Sequence, residues 1–375
     1  MFEYPNKLNI IFDKLDKNGI KSIIVGGFVR DYFLQKNSKD IDIELYNASS
    51  FDEIVDILKE FGETNIIGKS FGVVKLNIDN LELDFSLPRL DNKISAGHTG
   101  FSVQTFKTLD FKIASKRRDF TINAIGYDVS SKKILDYYNG LEDIKTKKLK
   151  FINEESFKED PLRILRAVQF CSRFEFKMNK DLFSTCRGMV KEGFLEELAS
   201  ERIFSEIKKL LLKSKKPSIG LKLLDDLDIK IFKIDDKKLI DVNNFINFKT
   251  NDTSKDLAII LTILYKNTKY NLEQLTNSKT IAKNINMLLH VEDYIFKKTD
   301  TINYNIAKNL DFNLLSLFFK ALHVENSILN NLKSLEPKIH GKDLIQKGMK
   351  PSKEFANILQ TFYDEQLTAL SYLSQ

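Results

Sequence analysis

The stretch VGGFVRDYFLQKNSKDIDIEL, residues 25–45, restricts the possible folds more than any other part of the chain. Ile23, Ile24 and Val25 form a β-branched run that reads as a buried strand. Gly26 and Gly27 interrupt it, residues 28–34 read as a short helix, and Asn37-Ser38 reads as a turn. Residues 39–45 then read as a second strand, in which Ile41, Ile43 and Leu45 alternate with Asp40, Asp42 and Glu44. Strand side chains alternate between faces, so the three carboxylates share one face and the apolar residues the other. Asp40 and Asp42 then stand about 7 Å apart on that face, and something must offset their repulsion. Water on a solvated face is one answer. A divalent cation is the other, since Mg²⁺ prefers one or two carboxylates plus phosphate oxygens. Gly26 and Gly27 would offer N–H groups to a phosphate at a helix start, and Arg30 would add a fixed positive charge.

Residues 71–89 read as a hairpin that turns at Asp79-Asn80. Leu81, Leu83 and Phe85 point one way and Glu82, Asp84 and Ser86 the other. Asp84 therefore reaches the face of Asp40 and Asp42 if the strands are neighbours. Three carboxylates on adjacent strands suit two-metal phosphoryl chemistry; a surface strand residue is the alternative for Asp84. In KRRDFTINAIGYD, residues 116–128, Arg117 and Arg118 can fork onto phosphate oxygens. Asp119 and Asn123 stand one helical turn apart and can hold a ribose hydroxyl, although a helix cap beside an exposed basic pair would look the same.

In FKEDPLRILRAVQF, residues 157–170, Asp160, Arg163 and Arg166 recur every third residue along one helical stripe. Leu162, Leu165 and Phe170 lie elsewhere around the helix and can pack. A carboxylate accepts from an exocyclic amine, and a guanidinium donates to ring acceptors. Cytosine and adenine fit such a pair. Uracil and guanine carry a carbonyl where the amine should be. An intrahelical salt bridge of little energetic weight is the alternative.

The chain has 375 residues, 42% of them hydrophobic, and a net charge of +6. That permits a substantial core and two or more domains, and the mild basic balance fits a polyanionic partner. Cys171 and Cys186 have no metal-ligand spacing and point to a reducing compartment. No apolar run is long enough to cross a membrane, and residues 1–7 are polar with no visible signal peptide, so a cytoplasmic location is expected. Short strands and glycines dominate up to about residue 130, residues 132–140 read as a turn-rich joint, and helical patterns dominate afterwards. The very apolar residues 257–264 read as a helix in a core, and no internal repeat is present.

In order along the chain, GGFVRD, KDIDIE, LDFSLPR, RRDFTINAI, DYYNGLEDI, EDPLRILRAVQF and SERIFSEIKKLL resemble the motifs of the bacterial class II tRNA nucleotidyltransferases. These are the CCA-adding enzymes, close relatives of bacterial poly(A) polymerases. The resemblance runs over residues 22–212, fades through 213–330 and returns in PKIHGKDLIQKGMKPSKEFANIL. It implies an α+β fold: a nucleotidyltransferase head with a mixed β-sheet and helices over residues 1–130, then an all-helical neck (131–212), body (213–330) and tail (331–375). It also implies transfer of CMP and AMP from CTP and ATP to the 3′ end of tRNA without a nucleic-acid template, with Mg²⁺ as cofactor. No protein partner can be inferred.

Carried over residue by residue, the resemblance matches Asp40 and Asp42 to the metal ligands and Asp84 to a third catalytic carboxylate. Gly27 and Arg30 match triphosphate-contacting positions, Arg118 and Asp119 positions near the phosphates and ribose, and Asp160 and Arg163 the pair that reads the base, with Arg166 beside them. Ser200, Arg202 and Glu206 match a motif that supports the base-reading helix, and Gln169 stands where many members have another arginine. The histidines are His98, His290, His323 and His340, and residues 257–269 lack the His-Asp pair of members that carry a phosphohydrolase domain. No phosphohydrolase activity is expected. The loop over residues 89–105, with His98, resembles that of full CCA-adding members and favours complete CCA addition over a poly(A) polymerase or a CC-only or A-only enzyme. Retention of Asp40, Asp42, Arg118, Asp160 and Arg163 favours an enzyme over a catalytically silent RNA-binding protein. Lys208, Lys209, Lys213, Lys215 and Lys216 read as contacts to tRNA phosphates or as a solvated basic face.

Overall fold

Alternation along Asp40–Tyr46 organises the first half of the chain: Ile41, Ile43 and Leu45 are buried, whereas Asp40 and Asp42 are exposed. The computed structural model describes residues 2–67, 72–93, 101–105, 109–265, 278–296, 302–325, 327–352 and 354–373. It divides into two units, Met1–Arg202 and Ile203–Gln375.

In chain order the strands of the first unit begin with β1 (Lys21–Val25), β2 (Asp40–Tyr46), β3 (Thr64–Ile67), β4 (Val73–Ile78) and β5 (Leu81–Ser86). They continue with β6 (Arg89–Lys93), β7 (Phe101–Thr105), β8 (Gly126–Asp128) and β9 (Lys133–Leu135). Seven of them form one sheet in the order β3-β4-β5-β2-β1-β8-β9, while β6 and β7 pair with each other as a separate hairpin. Within the sheet β2 and β5 run parallel, and β1–β2, β1–β8, β3–β4, β4–β5 and β8–β9 run antiparallel. The β4–β5 hairpin turns at Asp79-Asn80, with Ile78 opposite Leu81 and Asp79 at φ 52°; a two-residue turn that follows the twist of the strands needs positive φ.

Helices α1 (Asn9–Lys17) and α3 (Phe51–Lys59) bury Ile11, Phe12 and Leu15, and Ile54, Val55, Ile57 and Leu58, and between them in the chain lies α2 (Gly27–Phe33). The spacing of these residues gives each of the two longer helices one apolar stripe, which covers the sheet core. Ser50 caps α3 by accepting from the Glu53 amide at 3.1 Å.

Two boundaries differ from the expectation. The sheet does not end at residue 130, because β9 completes it and the residues just before β9 form the turn that joins it to β8, with Lys132 at φ 55°. The segment after it is not wholly helical, because β10 (Lys148–Leu149) and β11 (Lys177–Met178) form a short parallel ladder. Helices α4 (Phe111–Ser115), α5 (Gly140–Lys145), α6 (Glu154–Lys158), α7 (Leu162–Phe174) and α8 (Lys180–Lys191) lie in the first unit, and α9 (Ser200–Lys213) contains the division after Arg202.

The second unit is helical throughout its described residues. Its core includes the helix Thr253–Tyr265, buried from Asp256 to Tyr265, as its apolar run anticipates. Among the described residues no helix is long and apolar enough to cross a membrane. The loop that carries His98 lies outside the described residues.

Candidate active site

Parallel pairing of β2 with β5 sets Asp42 opposite Asp84, and Asp40 opposite Glu82. Adjacent strands are about 4.8 Å apart, so Asp42 and Asp84 are direct neighbours on the polar face. Lys75 stands opposite Asp84 on β4 and approaches its Oδ2 at 3.2 Å, while Asp84 Oδ1 is buried without a hydrogen-bond partner among the described residues. Asp42 opens on a cavity, yet enough protein surrounds its carboxyl for burial to push it above its ordinary value. Arg118 draws it down; Asp84, Glu44 and Asp40 push it further up. Among the described residues no three His, Cys, Asp or Glu side chains already converge on one point. Two open carboxylates, with a third neighbour carrying an unsatisfied oxygen, fit a hard cation that takes only one or two protein carboxylates.

Gly26 ends β1 at φ 70°, where a side chain is disfavoured. A Cβ there would lie 2.9 Å from Arg118 Nη1 and 3.2 Å from Asp42 Oδ2. Glycine thus lets the guanidinium and the carboxylate close over the turn into α2. Arg118 donates from Nη2 to Glu44 Oε1 at 2.9 Å and from Nη1 to the Asn123 carbonyl at 3.3 Å. Arg117 Nη2 donates to the same Glu44 oxygen at 3.1 Å, and the Tyr46 hydroxyl donates to Oε2 at 2.9 Å. Burial would raise the Glu44 carboxyl, but Arg118, Arg117 and Tyr46 outweigh it and hold the group below its usual range.

Arg30, which the resemblance matches to a triphosphate-contacting position, lines the cavity but is held by protein partners. It is 5% exposed, and its guanidinium is held by Asp31 at 2.7 Å and by the Asn123 side-chain oxygen at 2.6 Å. It also lies over the rings of Phe170 and Phe174, at 5.2 and 4.9 Å. Asp119 and Asn123 do meet, at 2.8 Å, but through a 3-10 turn over Thr121–Asn123, and both are buried. Asp119 accepts from Arg166 Nε at 2.7 Å and from the Phe120 amide at 2.9 Å. Burial alone would raise its carboxyl; Arg166, Asn123 and Arg163 hold it below the ordinary value. These residues brace the floor of the site more than they open onto it.

Asp160 is not on the helix with Arg163 and Arg166. It precedes α7, whose N-cap is Pro161, and its Oδ1 accepts from the Leu162 amide at 3.1 Å. Proline disfavours the helical conformation at the residue before it. The ion partner of Asp160 is Arg202, at 3.4 Å, from the first turn of α9. Arg163 donates to two backbone carbonyls instead, Ser156 at 2.7 Å and Arg117 at 2.9 Å. An intrahelical Asp160–Arg163 bridge therefore does not describe the pair. Gln169 is 2% exposed, with no hydrogen-bond partner for its Nε2 among the described residues. Of the basic run, Lys208, Lys213, Lys215 and Lys216 are exposed, and Lys209 pairs with Glu206 at 2.7 Å.

Gly26, Gly27, Arg30, Asp42, Arg118, Asp119, Asn123, Asp160, Arg163 and Arg166 line one cavity of about 580 Å³ in the first unit, joined by Arg89, Leu162, Arg117 and Arg202. Asp40 and Asp84 do not line it; they stand on the strand face beside Asp42. Arg89 and Leu162 were not anticipated from the sequence. Arg89 follows the hairpin in LDFSLPR, and Leu162 follows the proline; neither residue type in isolation signals a ligand site.

Residues 22–150 match the family described as "Poly A polymerase head domain", and residues 175–230 match "Probable RNA and SrmB- binding site of polymerase A". A CCA-adding enzyme of Staphylococcus haemolyticus (strain JCSC1435) is 31% identical over 283 residues, covering 74% of this chain and 67% of its own. A CCA-adding enzyme of Ligilactobacillus salivarius (strain UCC118) is 29% identical over 379 residues, covering 95% of this chain and 90% of its own. The fold is similar to a solved CCA-adding enzyme in apo form I, with a TM-score of 0.69 at 23% identity over 98% of this chain and 91% of the other. It is also similar to a Thermotoga maritima CCA-adding enzyme complexed with tRNA, with a TM-score of 0.65 at 20% identity over 98% and 96%.

Proposed function

The chain belongs to the bacterial class II CCA-adding enzyme and poly(A) polymerase family, and from that premise we propose that it completes tRNA 3′ ends, adding CMP and AMP from CTP and ATP. The observation that carries the reading is the single cavity in which Asp42, beside Asp84, faces Arg118 across Gly26, with Asp160 and Arg163 in the same wall.

In each step the terminal 3′ hydroxyl of tRNA gives up its proton to solvent as its oxygen bonds to the α-phosphorus of the nucleotide, the bond from that phosphorus to the bridging oxygen breaks, and pyrophosphate leaves. Arg117 and Arg118 present guanidinium groups to the phosphates, where charge accumulates in the transition state. Asp40 and Asp42 are the residues that would hold Mg²⁺. When bound, one such ion would activate the attacking hydroxyl and a second would steady the leaving group. Asp160 keeps acceptor capacity beyond its long contact with Arg202, and Arg163 keeps donors beyond its two carbonyls. The pair therefore accepts the amine edge of cytosine or adenine and leaves a uracil or guanine carbonyl facing a carboxylate. The exposed lysines of α9 and the residues just after it would meet tRNA phosphates, and the cytoplasm is the location we assign.

The test uses the full chain with tRNA ending before, within and after CCA, and each nucleotide supplied separately. CMP addition to a tRNA lacking all three residues, followed by a single AMP, is the expected result. Long homopolymeric tails from ATP alone would overturn the reading in favour of poly(A) synthesis.

A further inference from the structure

We propose that Glu44 is a positioning residue for the triphosphate site: a buried counter-ion that holds Arg117 and Arg118 at the cavity wall and so sets the affinity for CTP and ATP without taking part in base choice. The inference rests on the nucleotidyl-transfer reading above.

Asp40, Asp42 and Glu44 share one face of β2, but their surroundings diverge along it. Asp40 and Asp42 are exposed, whereas Glu44 is 1% exposed with both oxygens engaged by protein donors. That occupancy removes Glu44 from the set that could bind a cation. The Nη2 atoms of Arg117 and Arg118 reach the same Glu44 oxygen at 3.1 and 2.9 Å. Two guanidinium groups so close repel, and in a poorly solvated setting only an opposite charge makes their convergence favourable. Tyr46 donates to the second Glu44 oxygen at 2.9 Å and so fixes the plane of the carboxylate. From this anchor Arg118 crosses the glycine turn, where a Cβ on Gly26 would lie 2.9 Å from its Nη1. Arg118 lines the cavity, with its Nε turned into the protein. Each Nη carries two N–H groups, so an arginine anchored through one on each keeps the others for an anionic oxygen in the cavity.

The experiment is equilibrium titration of the full chain with labelled CTP and ATP, alongside KM and kcat for tRNA extension. Wild-type protein that binds neither nucleotide would refute the functional reading itself, not the role of Glu44. Glu44→Gln keeps the volume but turns one acceptor into a donor that faces an arginine. We expect affinity for CTP and ATP to fall together by about 10–100-fold, the worth of a charge-assisted hydrogen bond. Rejection of UTP and GTP and the affinity for tRNA should stay at wild-type values. If circular dichroism shows that Glu44→Gln does not fold, Tyr46→Phe decides, with a fall of roughly two- to tenfold expected for both nucleotides. Unchanged nucleotide affinity in folded Glu44→Gln, or in Tyr46→Phe where that variant decides, would overturn the proposal. So would loss of base discrimination, which would make Glu44 part of base choice.

Discussion

Replacing Asp42 with asparagine should make the metal-free protein more stable while abolishing transfer. Asp42 and Asp84 are register partners on parallel strands, and Asp40 lies on the same face. At a strand spacing of about 4.8 Å, two full charges repel by about 1 kcal/mol in water and by about 3 kcal/mol at an effective dielectric of about 20. Asp42 opens on solvent and Lys75 partly neutralises Asp84 at 3.2 Å, so the lower figure governs, and the expected gain is about 1 kcal/mol. The sign agrees with the carboxyl itself, which burial and the neighbouring carboxylates lift above 3.8 despite Arg118. A carboxyl raised in the folded state stabilises that state when protonated, so its contribution is present at acid pH and is lost as pH rises through the raised value. The advantage of Asp42→Asn should therefore be near zero in acid and complete at neutral pH. Thermal denaturation in chelator measures it, as a rise of roughly 2–4 °C. Added Mg²⁺ should raise the melting temperature of the wild type but not of the variant. A variant less stable than the wild type in chelator at neutral pH, or one that gains equally from Mg²⁺, would refute the reasoning.

Asp160→Ala should lose most of the preference for CTP and ATP over UTP and GTP, and Arg163→Ala should impair both correct nucleotides; single-nucleotide incorporation assays check this, and an equal loss for all four with Asp160→Ala would rule out base reading there. Asp119 is held below 3.8 by Arg166, Asn123 and Arg163 against burial; its stabilisation is thus present above 3.8 and lost as pH falls through the depressed value. Asp119→Asn, which leaves Arg166 without that carboxylate, should cost about 3–5 kcal/mol at neutral pH and flatten the acid limb of a denaturation profile, whereas an unchanged midpoint would contradict the bracing role. Neutralising Lys208, Lys213, Lys215 and Lys216 together should weaken tRNA binding and reduce the slope of log affinity against log salt, by about 0.7–0.9 for each phosphate that no longer meets a lysine; an unchanged slope would mark them as a solvated face.

What could be read from the sequence was what short-range geometry decides. Period-two alternation placed Asp40 and Asp42 opposite Ile41 and Ile43 whatever strand lay beside them. The Asp79-Asn80 turn is equally local, because a two-residue turn between paired strands needs positive φ at its first residue, here Asp79. The start of α7 was legible too: Pro161 disfavours the helical conformation at Asp160, so Asp160 stands outside the stripe of Arg163 and Arg166. Other features depend on chain segments far apart in sequence. Whether Asp84 stands beside Asp42 depends on β5 crossing over to pair in parallel with β2, a register that no local pattern encodes. Arg30 carries the same charge in the sequence whether it faces solvent or the rings of Phe170 and Phe174; only the packing of α7 against α2 buried it. Glu44 looked like a third member of the carboxylate face until Arg117 and Arg118, more than seventy residues away in the chain, closed on it at 3.1 and 2.9 Å. The physical reason is one of range. Backbone sterics and side-chain alternation act over a few residues and are written in the order of amino acids, whereas burial and ion pairing depend on which distant surfaces meet, and that is decided only when the sheet and helices assemble.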